Sequence, residues 1–213
     1  VAAKSVGIPV VMTVHDFNYV CPRKWLIYKD GKPCRHGFGF RCLLSDCPSS
    51  KPGVLWMPYH NLRWLKTGLH RSLLRRYVNR FICPSEVLAE WMRANMGVSN
   101  LDCLPNFVEK PESAELASAT LSNLLYCGRL SPEKGVDLLL AALPQVIASI
   151  PKVRLKICGD GPARPELESI AKKLGIGDRV EFAGMIAGDE LARCYRESAI
   201  CLMPSVWHEN CPV

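Results

Sequence analysis

The chain has 213 residues, 48% of them hydrophobic and 22% charged, with a formal net charge of +7. That composition excludes a disordered, collagenous or low-complexity protein, and no run approaches the roughly 18 apolar residues of a membrane-spanning helix. Charge is uneven: residues 1–105 hold 15 Lys and Arg against 6 Asp and Glu, residues 106–213 hold 12 against 14, so an anionic partner is expected on the first half.

The start, Val1-Ala2-Ala3-Lys4, has no initiator Met and no apolar leader, so no signal peptide is expected. Gly7 to Val14 reads as a short, continuously apolar strand of a sheet buried on both faces, ending in His15-Asp16. Residues 18–53 lack periodicity and form a long loop-like insertion, a length that is usually functional or stapled. Residues 54–80 look helical. Leu62, Leu65, Leu69 and Leu73 make one apolar stripe, with Arg63, Lys66, His70, Arg71 and Arg75 mostly off it and Gly68 a candidate break. Phe81-Ile82-Cys83 is a strand, and Pro84-Ser85-Glu86 opens a helix to about Met96. Leu101 to Leu104 is a further strand.

Residues 106–122, rich in Pro, Ser and Glu, read as an interdomain linker between a first domain (1–105) and a second (123–213). Beyond the linker, strands at Leu124–Cys127, Val153–Cys158, Arg179–Phe182 and Ala199–Met203 alternate with helices at Val136–Ile150 (kinked at Pro144), Pro165–Leu174 and Asp189–Glu197. Such alternation implies parallel βαβ units, which bind ligands at the carboxyl ends of their strands.

Three candidate ligand motifs fall at such ends. In Cys127-Gly128-Arg129-Leu130-Ser131-Pro132-Glu133-Lys134-Gly135, two cations flank a loop that leads to a helix start. A diphosphate there would meet Arg129, Lys134, open backbone amides and the helix dipole. On spacing alone, a solvated loop with two ordinary cations fits equally. Gly159-Asp160-Gly161-Pro162 permits close backbone approach to a ligand, and it also fits a tight turn, because the full dinucleotide fingerprint is absent. Met203-Pro204-Ser205-Val206-Trp207-His208-Glu209-Asn210 puts a carboxylate just past a strand, where Glu209 could equally be a surface acid.

Taken together, Gly128-Arg129-Leu130, Glu133-Lys134-Gly135, Gly159-Asp160-Gly161-Pro162, Phe182-x-Gly184 and Pro204-Ser205 with Glu209 resemble the C-terminal domain of family-four glycosyltransferases, retaining enzymes of the GT-B fold. Thr13-Val14-His15-Asp16, Cys83-Pro84-Ser85-Glu86 and Leu104-Pro105-Asn106 are similar to the family's N-terminal domain and crossover. The resemblance implies an α/β, GT-B-type chain with two Rossmann-like parallel-sheet domains. It implies a nucleotide-diphosphate-sugar donor and transfer to a glycan, lipid-linked or small-molecule acceptor. Arg129 and Lys134 would hold the diphosphate and stabilise the leaving group without a metal. Gly128, Gly159 and Gly161 would line the donor, the backbone at Gly184, Met185 and Ile186 would meet the base, and His15 and Glu209 would face the sugar. Glu209 matches the first Glu of a Glu-x7-Glu motif whose second Glu would fall beyond Val213. Both domains are therefore expected to be incomplete here, and the chain alone inactive or very weak.

Eleven cysteines, an odd and mostly scattered set, suggest a reducing compartment. Cys83, Cys103, Cys127, Cys158 and Cys201 are expected to be small buried hydrophobes. Cys21, Cys34, Cys42 and Cys47, with His36 nearby, offer four soft ligands suited to a structural zinc. Their spacing lacks paired Cys-x2-Cys units, and free thiols or one disulfide fit as well. The basic helix suits either an anionic membrane surface or a solvated, partly core-packed face. The expected setting is the cytoplasm or its membrane face, with nucleic acid disfavoured because no nucleic-acid module appears. The rivals are a non-catalytic module binding an anionic partner and a nucleotide-sugar epimerase of the same fold.

Overall fold

The computed structural model describes residues 2–22, 26, 34–44, 57–107, 122–207 and 209–210. Most of the expected linker and Cys47 lie outside them. The chain divides into two compact units, one of Val1–Val108 with Trp207–Val213 and one of Glu109–Val206.

The first unit carries a three-stranded parallel sheet in the order β1-β2-β3, formed by Val11–Thr13, Arg80–Cys83 and Leu101–Cys103. Two short helices, α1 (Ala2–Ser5) and α2 (Arg41–Leu44), precede α3 (Met57–Tyr77), and α4 spans Glu86–Met96. The α4 ends follow local chemistry. Ser85 Oγ accepts the Leu88 N–H at 3.2 Å, and Gly97 closes the helix in the left-handed region. The core gathers Val14, Phe17, Val20, Leu26, Phe81, Cys83, Leu88, Met92 and Met96.

Gly68, the candidate break, does not interrupt helix α3. The leucine stripe lies outside the core: Leu62, Leu65 and Leu69 are 64%, 61% and 59% exposed. Polar and aromatic groups on other faces hold the helix instead. Arg71, only 5% exposed, donates to the Tyr19 and Asn95 carbonyls and lies over the Phe38 ring at 4.5 Å. Burial, with the neighbouring Arg75 charge adding to it, lowers its pKa to about 10. Trp64 stacks on Phe38 at 5.5 Å and donates its indole N–H to the Gly39 carbonyl, and Arg63 donates to the Pro22 carbonyl at 2.8 Å.

The second unit is a four-stranded parallel sheet in the order β6-β5-β4-β7, from β4 (Asn123–Cys127), β5 (Arg154–Cys158), β6 (Val180–Gly184) and β7 (Ile200–Cys201). The crossovers are α5 (Val136–Ser149), α6 (Arg164–Lys173) and α7 (Gly188–Glu197). Pro144 lies inside α5, which continues past it to Ser149. Strand alternation divides the core. Leu124, Tyr126, Leu155 and Ile157 pack in the cluster of Leu140, Leu143 and Leu167, while Leu125, Cys158 and Cys194 form a second cluster.

The cysteine expectation holds only in part. Cys83 and Cys158 are buried, Cys103 and Cys127 are half-buried, and Cys201 is exposed. Cys201 sits on the two-residue strand β7, both of whose residues are open to solvent. Burial is the main cause that raises the Cys83 thiol to about 11 and the Cys158 thiol to about 12. Both stay protonated and unreactive near neutral pH.

Candidate functional site

The chain runs from β4 outward to β5 and β6, then returns to place β7 on the other side of β4. The strand order therefore reverses at β4, and the crevice beyond the carboxyl ends there is where open parallel sheets bind ligands. The Arg129–Gly135 loop leaves β4 at that point, and residues 202–206 leave β7.

Backbone contacts lock the strand-end loops together. Gly128 N–H donates to the Cys158 carbonyl at 2.9 Å, Leu130 N–H to the Asp160 carbonyl at 3.0 Å, and Ala163 N–H to the Leu130 carbonyl at 3.0 Å. A Cβ on Gly159 would lie 1.9 Å from the Gly128 carbonyl oxygen, and one on Gly161 would lie 2.2 Å from that of Leu130. Neither position has room for a side chain, so the two glycines are required by the loop–loop approach itself. Gly135 makes the third lock. Its φ is +66°, and a Cβ there would meet the Pro204 carbonyl oxygen at 2.2 Å, while Val206 N–H donates to the Glu133 carbonyl at 3.0 Å.

These contacts fix the loop that carries the two cations. Tyr126 donates its hydroxyl to the Arg129 carbonyl at 2.9 Å. Ser131 Oγ donates to Glu133 Oε1 at 2.6 Å in a buried pair, and Glu133 Oε2 is buried without a hydrogen-bond partner. Arg129 is exposed and Lys134 half-buried. Helix α5 starts at Val136, and its N-cap Gly135 supplies no side-chain cap, so the positive end of the helix dipole lies at the same loop. The arrangement offers a planar guanidinium and an ammonium on a closely packed loop at a helix start, which is chemistry suited to a diphosphate.

Gly184, Met185 and Ile186 follow β6, two strands from β4, with Met185 82% exposed. Arg164 joins this end to its neighbour. It contacts Asp160 at 3.4 Å, Glu168 at 2.8 Å and the Phe182 carbonyl at 3.3 Å. The strand-end sites of the first unit lie on other elements. His15 is exposed just past β1. Asn210, beside the half-buried Glu209, donates to the His15 carbonyl at 2.6 Å and accepts from Ser85 Oγ at 2.9 Å. Asn210 thus ties the segment from Trp207 to the carboxyl ends of β1 and β2. Sequence reasoning gave no role to Tyr126, Ser131, Glu133, Arg164 or Asn210; Ser131 and Glu133 lay inside a motif already singled out.

Of the four candidate zinc thiols, Cys21 and Cys34 are buried and Cys42 is half-buried, its thiol donating to the Gly37 carbonyl at 3.3 Å. Among the described residues no three His, Cys, Asp or Glu side chains converge on one point, and Cys47 lies outside them.

Comparison with known proteins agrees with the strand-end motifs. Residues 122–213 match the family "Glycosyl transferases group 1". Among curated relatives, it is 33% identical to a phosphatidylinositol N-acetylglucosaminyltransferase gpi3 subunit of Schizosaccharomyces pombe, over 61% of this chain and 29% of that one. It is 26% identical to a 2-deoxystreptamine glucosyltransferase of Streptomyces kanamyceticus, over 98% of this chain and 50% of the relative. The chain thus spans half or less of the length of these relatives. Among solved structures, Anabaena HepE in complex with UDP superposes with a TM-score of 0.61 at 18% identity, over 96% of this chain and 49% of that one. The fold is that of the GT-B glycosyltransferases.

Proposed function

We propose that the protein is a retaining glycosyltransferase that moves a hexose from a nucleotide-diphosphate sugar to a glycan, lipid-linked or small-molecule acceptor. The observation that carries the reading is the locked loop at the β4 switch point, where Arg129, Lys134 and the start of α5 share one closely packed backbone. In this mechanism Arg129 grips the diphosphate with its fork, and Lys134 and the α5 dipole neutralise the charge that grows as the sugar–phosphate bond breaks. Because Gly135, Gly159 and Gly161 hold the loops against one another, these donors need no reorganisation during the step. Gly128, Gly159 and Gly161 bring backbone close to the donor, and the backbone at Gly184–Ile186 reads the base. His15 and Glu209 address the sugar.

The names of the relatives support this choice of substrates. One is named for phosphatidylinositol and another for 2-deoxystreptamine, and the HepE structure holds UDP. The proposed setting is the cytoplasm or its membrane face. No described helix is long and apolar enough to cross a membrane, which is compatible with surface attachment. A structural zinc on Cys21, Cys34, Cys42 and Cys47 belongs to the same reading, and a metal-to-protein ratio near zero after anaerobic purification removes it.

The reading is tested by binding of UDP-, GDP- and ADP-sugars. Lys134→Ala is expected to weaken binding of the donor about tenfold or more while the unfolding midpoint stays put. A variant that binds the donor as tightly as the parent overturns the assignment.

A further inference from the structure

Among the described residues the leucine stripe of α3 joins neither hydrophobic core, and it lies outside the donor site. Leu62, Leu65, Leu69 and Leu73 recur at three- and four-residue spacing, so they share one face, and all four are exposed, the last at 40%. The orientation is specified by the rest of the helix. Turning the leucines inward would pull Arg71 off the Tyr19 and Asn95 carbonyls, Trp64 off the Gly39 carbonyl and Arg63 off the Pro22 carbonyl. The chain thus commits three polar anchors to keeping an apolar face outward.

The charge around that face identifies what it meets. The 21 residues of α3 include five Lys and Arg and no Asp or Glu. Lys66 and Arg76 are exposed and, by helical spacing, fall among the leucines. At the C-terminal end Lys4 adds a further exposed cation, its ammonium donating to the Arg76 carbonyl at 2.8 Å. An interface buried inside a protein would have to bring acidic partners to Lys66 and Arg76, since α3 itself carries none. At a bilayer surface the same pattern is complementary throughout: leucines enter the acyl boundary, and the long cationic side chains reach the phosphates.

We infer that the outward face of α3, Leu62, Leu65, Leu69 and Leu73 with Lys66 and Arg76, is an insertion surface for an anionic lipid bilayer. The inference deepens the proposed transfer to lipid-linked acceptors and rests on that reading for its purpose. Docking by this face would hold the enzyme where such an acceptor is presented.

The experiment is co-flotation of the whole protein with vesicles of pure phosphatidylcholine and of phosphatidylcholine with about one-third phosphatidylglycerol, at low and high salt. The protein is expected to float with the anionic vesicles and to be released by salt. Lys66→Ser with Arg76→Ser lowers binding roughly twenty-five-fold, at about fivefold per cation. Leu65→Ser with Leu69→Ser lowers it about tenfold or more at unchanged charge. The substituted side chains are exposed, so unfolding midpoints should not move. Equal flotation with neutral and anionic vesicles, or full binding by the leucine variant, overturns the inference. So does a leucine variant that changes self-association but not flotation, since the stripe is then a protein interface. Nucleoside-diphosphate titration of the same preparations separates this outcome from failure of the transferase reading: lost flotation with intact nucleotide binding counts against the surface alone.

Discussion

The two units solve the problem of holding a leucine-bearing helix in opposite ways. In the second unit α5 buries Val136, Leu140 and Leu143, and the loops at the strand ends lock through backbone atoms that glycine alone admits. In the first unit α3 carries leucines at the same kind of spacing, turns them to solvent, and is anchored by a buried guanidinium and an indole. Apolar periodicity shows that a helix has an apolar face; which way that face points is decided by the polar groups elsewhere on the helix and by whether the chain supplies partners for them.

Substitutions can break or sharpen this contrast. The largest effect is expected from Gly159→Ala, whose Cβ would collide with the Gly128 carbonyl. It should cost about 4 kcal/mol or abolish folding of the second unit, read as a urea midpoint. Leu140→Ala, in the core beneath α5, should cost about 3 kcal/mol, whereas Leu65→Ala on α3 should stay within about 0.5 kcal/mol. Equal losses at the two leucines would erase the contrast. Arg71→Ala leaves two carbonyls without their donor and should cost about 3 kcal/mol, more than any α3 leucine. Ser85→Ala removes the α4 cap and should cost about 1 kcal/mol. The exposed Arg80–Asp102 pair, 2.5 Å apart, should contribute under 1 kcal/mol and fade with salt.

A pH effect follows from Cys83. Its folded pKa of about 11 lies above the ordinary thiol value of 9.0. The folded state therefore favours the neutral thiol, a contribution fully present below about pH 9 and lost as pH rises toward 11. Unfolding midpoints across that window check the sign. At neutral pH, mass-spectrometric mapping after iodoacetamide should find Cys201 modified well before Cys83 or Cys158.

The alternation of the second unit was legible because each strand is a short apolar run bounded by glycine turns, and the motif glycines could be read as turns. Their contacts could not be, since the partners of Gly159, Gly161 and Gly135 are carbonyls of Gly128, Leu130 and Pro204, distant in sequence and without side-chain identity. The return of β7 to the side of β4, which makes the switch point, leaves no local signal either. In α3, Arg71 is one cation among five, and nothing in its spacing marks it as the buried one. Asn210 was quoted within a motif, but its bridge between the ends of β1 and β2 depends on tertiary proximity.

The central claim is that the locked β4 loop binds a nucleoside diphosphate through Arg129. Calorimetric titration of the protein and of Arg129→Ala with UDP, GDP and ADP tests it most directly. The account predicts saturable binding of one of the three, weakened a hundredfold or so in the variant with an unchanged unfolding midpoint. A folded protein that binds none of them, or a variant that binds as the parent does, would contradict it.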